Sequence, residues 1–220
     1  MQIGSVDAEY MDINSREKLL REEEKERKMK EKVLCIPAGL SLENFERNVN
    51  ERSVFLVRKY AEKNFAYRHI IPYCVILIDN KILAYKRKKG NEPRLEGQWS
   101  IGVGGHMHPE DGQGYEAILK ARDRECVEEL SITPHKTFGD ILISLNDTEV
   151  DKVHLGFCQI ITEYNGILTP SKEIPEWEFL TIEELKKRNL ETWAVYVINK
   201  LEQGWGSLLE NRKNPAKHGE

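Results

Sequence analysis

Apolar positions along this chain fall into two spacings, and the switches between them mark out its elements. From Tyr115 to Leu130, Ile118, Leu119, Ala121, Cys126, Val127 and Leu130 recur at helical intervals. That spacing predicts an amphipathic helix. Pro134 follows and closes the helical region. Tyr73–Ile78 is a β-branched run, Asp79-Asn80-Lys81 is polar, and Ile82–Tyr85 is apolar again. A strand, tight turn and strand of this kind predict a hairpin. Val33–Pro37, Gln98–Val103, Thr137–Leu145, Val153–Thr162 and Glu176–Leu180 read as further strands, with Asn146-Asp147-Thr148 as a turn between the third and fourth. Residues 41–63 read as mainly helical. Thr181 and Glu184 stand at capping-box spacing before a helix, and Glu191–Leu201 gives the last helix.

Strands and helices interleave, with hairpins among the strands. This pattern predicts a layered α/β or α+β domain on a mixed sheet, over about residues 65–205. Before it, residues 15–32 carry Glu23/Arg27, Glu24/Lys28 and Glu26/Lys30 as i,i+4 pairs, with only Leu19, Leu20 and Met29 apolar. Such a helix is polar all round and lies in solvent or meets a partner. The chain then divides into a charged helical arm (1–32), an extension packed on the core (33–66), a main domain (67–205) and a mobile polar tail (206–220).

Composition narrows the class. The chain has 220 residues, with 32% charged, 40% hydrophobic and a net charge of −4. That charge does not suit a bulk nucleic-acid binder. No apolar run reaches the roughly 18–20 residues of a membrane span, and no basic-then-apolar leader opens the chain. Cys35, Cys74, Cys126 and Cys158 are far apart and form no CxxC pair, which predicts buried thiols in a cytoplasmic protein.

The chemistry concentrates at Arg124-Glu125-Cys126-Val127-Glu128-Glu129. Residues three and four apart share a helical face, so Glu125, Glu128 and Glu129 are expected side by side behind Arg124. Crowded carboxylates are best tolerated around a cation, and their oxygens suit a hard ion such as Mg2+, which also binds substrate phosphates. Elsewhere, Lys86, Arg87, Lys88, Lys89 and Arg94 read either as a phosphate contact or as solubilising charge. His106 and His108 read as loop residues near the site, with a transition-metal role as the alternative. Trp99 reads as core in preference to a base-stacking surface.

Gly105 to Ile132, with its Arg124-Glu125-x-x-Glu128-Glu129 half, resembles the Nudix signature, and Gly97-Gln98-Trp99 resembles that family's entry strand. Glu173-Ile174 and Phe179–Leu185 resemble the end of the domain, so the resemblance spans about residues 67–200. It is also similar to a subgroup described as predicted phosphoesterases, which carry an N-terminal extension like residues 33–66. The resemblance implies an α/β/α sandwich with a mixed sheet. It implies a pyrophosphohydrolase using Mg2+ or Mn2+ on a nucleoside diphosphate derivative or related organic pyrophosphate. Glu125, Glu128 and Glu129 would hold the metal, and Arg124 would clamp the carboxylates. Arg87 and Gly105 would meet substrate, and one of the three glutamates or Glu173 would act as base. The implied partner is a small phosphate ester or nucleotide, with a homodimer also open.

There are two departures. Ser131 replaces the usual glycine, which suggests a slightly different helix exit. The loop from Gly105 to Arg124 is five residues longer than the signature, leaving Glu110, Asp111 and Glu116 as alternatives for its carboxylate. Two other functions are compatible with this sequence: a non-catalytic protein that binds a nucleotide or partner, and an isopentenyl diphosphate isomerase-like enzyme. The second needs a cysteine that residues 100–106 lack.

Overall fold

The computed structural model describes residues 30–88 and 95–213, with side chains as far as residue 204, together with Arg16, Lys18, Leu19 and Glu22. Most of the charged arm expected at 1–32, the basic residues Lys89 and Arg94, and the last residues 214–220 lie outside the described residues.

Strand β1 (Lys32–Pro37) leads through a 3-10 turn (Leu42–Asn44) to α1 (Phe45–Arg52), β2 (Val54–Val57) and α2 (Arg58–Ala61). The long strand β3 (Tyr67–Ile78) follows, then β4 (Lys81–Lys86), β5 (Trp99–Ser100) and β6 (Gly102–Val103). A 3-10 turn at Pro109–Asp111 precedes α3 (Tyr115–Leu130). The chain finishes with β7 (Ile132–Ile143), α4 (Glu149–Val153), β8 (His154–Gly166), β9 (Trp177–Leu180), α5 (Ile182–Leu185) and α6 (Thr192–Lys213).

β3 is the hub of a mixed sheet. It runs antiparallel to β1, β4 and β6 and parallel to β8. A parallel pair needs a long crossover, and here α3 lies on that connection. Alternation along β3 sets the layers. Tyr73, Val75 and Leu77 pack with Ala194, Val197, Ile198 and Leu201 of α6. Cys74 and Ile76 point the other way, onto Cys126 and Leu130 of α3. One helix therefore covers each face, giving an α/β/α sandwich. Buried side chains such as Ile118 and Leu130 each contribute roughly 1.5–3 kcal/mol to this packing.

Leu34, Ile36, Phe45 and Val49 join Ala117, Ile118 and Ala121 in one cluster, so the segment before β3 shares the core of α3. The hairpin forms with Asp79 at φ 49° and Asn80 at φ 63°. Two successive positive φ values match the twist of a two-residue hairpin, and Asp and Asn tolerate them. The Thr181–Glu184 capping box is present, Thr181 Oγ1 accepting from the Glu184 N–H at 3.3 Å and Glu184 Oε2 from the Thr181 N–H at 2.8 Å. All four cysteines are free and buried.

Five features differ from the expectation. The strand read over Gln98–Val103 is two short strands, β5 paired with β4 and β6 paired with β3. Residues 54–57 form a strand inside a stretch read as helical, because a four-residue apolar run is too short for its period to decide. β7 begins at Ile132 and contains Pro134, which the ladder accommodates beside a register shift between Pro134 and Lys136. Glu149–Val153 is a helix between the expected turn at Asn146–Thr148 and the strand expected from Val153, capped by Thr148 and Asp151. The last helix runs to Lys213 instead of ending near Leu201.

Candidate active site

The acidic helix face depends on Arg124. Its Nε and Nη2 grip Asp111 Oδ1 and Oδ2 at 2.9 and 3.0 Å, a two-pronged pairing. Nη1 reaches Glu125 Oε1 at 2.7 Å and Glu128 Oε2 at 3.2 Å. Nη2 also donates to the His106 carbonyl at 3.0 Å. One guanidinium therefore ties the glycine loop, the 3-10 turn and two of the helix carboxylates together. Asp111 is the carboxylate of the long loop that Arg124 holds, whereas Glu110 and Glu116 are exposed. Burial opposes ionisation of Asp111, but hydrogen bonds from Arg124 and the His108 N–H outweigh it and hold the carboxyl below its usual range.

Glu125 is buried, Glu129 half-buried and Glu128 exposed. Burial pushes the Glu125 carboxyl up. Arg124 pulls it back, and repulsion from Glu128 and Glu129 adds to the rise. Glu129 is held apart, its Oε2 accepting from Ser171 Oγ at 2.8 Å. Ser171 Oγ also accepts the Glu173 N–H at 3.2 Å, so Glu173 sits at the same end of α3 with its side chain in solvent. Ser131 holds φ 59° and ψ 31° at the helix C-cap, so the left-handed exit is kept without glycine.

The glycine loop approaches the helix closely. A Cβ on Gly105 would lie 2.5 Å from Glu125 Oε1, and one on Gly104 would lie 1.8 Å from the Pro72 carbonyl oxygen. Gly104 and Gly105 also line a cavity of about 290 Å3 with Arg58, Arg87, Glu191 and Trp193. Arg87 Nε pairs with Glu191 Oε2 at 3.0 Å. Glu191 is 3% exposed and also accepts from Tyr73 Oη at 3.0 Å and Ser100 Oγ at 2.6 Å. Trp99 is core, with Arg188 over its ring at 4.6 Å.

Sequence reasoning missed the other wall of this cavity. His106 does not pair with His108, which lies 3.4 Å from Glu31 Oε1. It meets His69, with His106 Nε2 and His69 Nδ1 3.0 Å apart, and His154 stands beside both. His69 and His154 are register partners in the parallel β3–β8 ladder. Among the described residues these histidines are the one set of three potential ligands whose ligating atoms lie within 4.8 Å of one another, so the set can coordinate a metal ion. Glu191 and α4 were also missed, whereas Asp111 was one of the three loop carboxylates the sequence left open. The Thr148–Asp151 capping spacing was a readable signal for α4, whereas isolated histidines carry none.

The NUDIX domain family profile matches residues 68–201. Protein YmaB from Bacillus subtilis (strain 168) is 33% identical over 154 residues, covering 64% of this chain and 75% of that protein. The crystal structure of Tm1382, a candidate Nudix hydrolase, superposes with a TM-score of 0.64 at 28% identity, covering 78% of this chain and 98% of that one. The structure of DR0079 from Deinococcus radiodurans shares the fold at a TM-score of 0.50 and 15% identity, covering 76% and 98% of the two chains. Among the described residues, no helix is long and apolar enough to cross a membrane.

Proposed function

This chain belongs to the Nudix hydrolase superfamily, and we propose that it cleaves a phosphoanhydride bond in a nucleoside diphosphate derivative or related organic pyrophosphate. The observation that carries this reading is the Arg124 fork, which holds Asp111, Glu125 and Glu128 beside the glycine loop of the cavity. Glu125, Glu128 and Glu129 fit a hard divalent cation. They are all-oxygen donors, and burial, with repulsion from Glu128 and Glu129 adding to it, raises the Glu125 carboxyl. They are splayed between Arg124 and Ser171, which suits Mg2+, an ion that takes few carboxylates and keeps several waters. When bound, such an ion offsets phosphate charge and lowers the pKa of a coordinated water.

The chain's own residues position the substrate. Arg124 fixes the carboxylates and is itself fully engaged by protein groups, so it acts as a positioning residue. Gly105 leaves room for Glu125 at the cavity edge. Arg58 and Arg87 line the cavity together with Asp151 and Glu191, and their guanidinium groups are its contacts for a diphosphate. The isomerase alternative lacks a thiol at the site, since every cysteine is buried and Cys74 faces α3.

The test is turnover of a panel of dinucleotides, nucleotide sugars, nucleoside triphosphates and ADP-ribose with Mg2+ or Mn2+. Wild-type protein is expected to release phosphate or a nucleotide from at least one class. Glu128→Gln and Glu129→Gln are expected to lower kcat by about 100-fold or more. Unchanged turnover in both variants rejects the assignment.

A further inference from the structure

We propose that His69, His106 and His154 form a second metal site, separate from the carboxylates of α3, that takes a transition-metal ion of the zinc class. The proposal does not depend on the roles given to the α3 glutamates. The three side chains come from different elements: His69 from β3, His106 from the loop after β6, and His154 from the first position of β8. Their ligating nitrogens lie within 4.8 Å of one another. Two Zn–N bonds of about 2.1 Å in a tetrahedral site put the nitrogens about 3.4 Å apart. The His69 Nδ1–His106 Nε2 separation is 3.0 Å, so this pair opens by a few tenths of an ångström to admit an ion, and His154, within 4.8 Å, turns toward it. Imidazole donors without a carboxylate suit zinc, copper, nickel or iron and not Mg2+.

The surroundings prepare these rings as ligands. His154 Nδ1 donates to the Val150 carbonyl at 2.8 Å, which leaves Nε2 as the lone-pair nitrogen. A backbone carbonyl on the far nitrogen is the usual device that orients a metal-binding histidine. His69 is fully buried, and its Nε2 has no hydrogen-bond partner although the Ala61 carbonyl pulls weakly on the ring. The ligating nitrogen of His69 is Nδ1, which faces His106, so a bound ion leaves the ring proton on Nε2. Burial, with repulsion from His154, pushes His69 down to about 3, and burial and Arg58 lower His106 as well. Burial thus favours the neutral imidazole, the form that binds metal. Arg58 is the nearby cation, and Glu31 and Glu62 hold its guanidinium at 3.0 and 2.8 Å.

Three protein ligands is the number found in open zinc sites, where a fourth position stays available. His106 and His154 line the cavity while His69 lies behind them. The remaining position therefore faces the cavity, where a water or an anionic oxygen would complete the shell. His106 follows Gly105 directly, so this ion would stand on the opposite side of the glycine loop from Glu125.

The experiment uses untagged full-length protein, stripped with chelator, dialysed, and titrated with Co2+ in excess Mg2+. The expected result is one Co2+ per chain with visible d–d bands. X-ray absorption on the Zn2+-loaded protein should show a shell of about three imidazoles. His106→Asn and His154→Asn should each weaken Co2+ binding by about tenfold or more, while the Glu128→Gln/Glu129→Gln double variant keeps the bands. His69 is left unchanged because its replacement would disturb the core. Absence of bands in the wild type overturns the proposal. So do bands unchanged in both histidine variants, or bands lost in the glutamate variant. If the histidine variants do not fold, the absorption spectrum of the wild type decides, and an oxygen-only shell overturns the site.

Discussion

Gly105 and Glu125 are in such close contact that a methyl group on the glycine would lie 2.5 Å from the carboxylate oxygen. The contact joins the loop after β6 to α3, and it separates two kinds of glycine substitution. Gly105→Ala meets the movable end of a side chain. It should cost at most about 1 kcal/mol of stability but lower kcat/KM by about tenfold, because Glu125 is displaced. Gly104→Ala meets a backbone carbonyl at 1.8 Å and should lower stability by about 1–3 kcal/mol or more. Thermal melts beside steady-state kinetics distinguish them. Equal melting temperatures for the two variants would contradict this account.

Asp111 is expected to support the site through Arg124. Asp111→Asn removes a charged partner and should cost about 1.5–3 kcal/mol at pH 7. The folded state holds this carboxyl below its unfolded value. Its contribution is therefore fully present above the unfolded pKa and is lost as the pH falls through the folded pKa. Denaturant titrations of wild type and variant should differ most at neutral pH and converge in acid. A gap that widens in acid contradicts the pairing.

Glu191 anchors Arg87, Tyr73 and Ser100 from a buried position. Glu191→Ala strands these groups and should destabilise the fold by about 3 kcal/mol. Arg87→Gln should act differently, raising KM for a diphosphate substrate by roughly tenfold at the cavity with a smaller loss of stability. Chemical denaturation with initial-rate kinetics checks both. A KM unmoved by Arg87→Gln would assign the arginine to structure alone.

Ser131 occupies the left-handed cap of α3 at φ 59°. Relief of that strain in Ser131→Gly is worth about 1 kcal/mol, partly offset by the greater chain entropy of glycine and by loss of the 3.4 Å hydrogen bond to the Thr169 carbonyl. A melting temperature equal to or slightly above wild type is expected. A clear drop would show that the serine hydroxyl, not the backbone, matters at this exit.

The extent of α3 was legible in the sequence because a helix is a local object. Its apolar positions repeat within a turn or two, and the observed helix covers the expected Tyr115–Leu130. The hairpin at Asp79-Asn80 and the capping box at Thr181–Glu184 were readable for the same reason. β2 was not, since its four apolar residues become a strand only by pairing with β1.

By itself, then, the sequence determined that Arg124, Glu125, Glu128 and Glu129 stand on one helix, and which residues form the hairpin and most of the main strands. Tertiary structure alone chose Asp111 over Glu110 and Glu116 as the partner of Arg124, because that choice depends on how the long loop folds back on α3. It alone set Arg87 against Glu191, 104 positions away. It also brought His69 to His154 through the parallel register of β3 and β8, and His106 to both through the loop after β6. Spacing along a chain records contacts within a helix turn or across a tight hairpin. Contacts made by a crossover between distant strands leave no period to read.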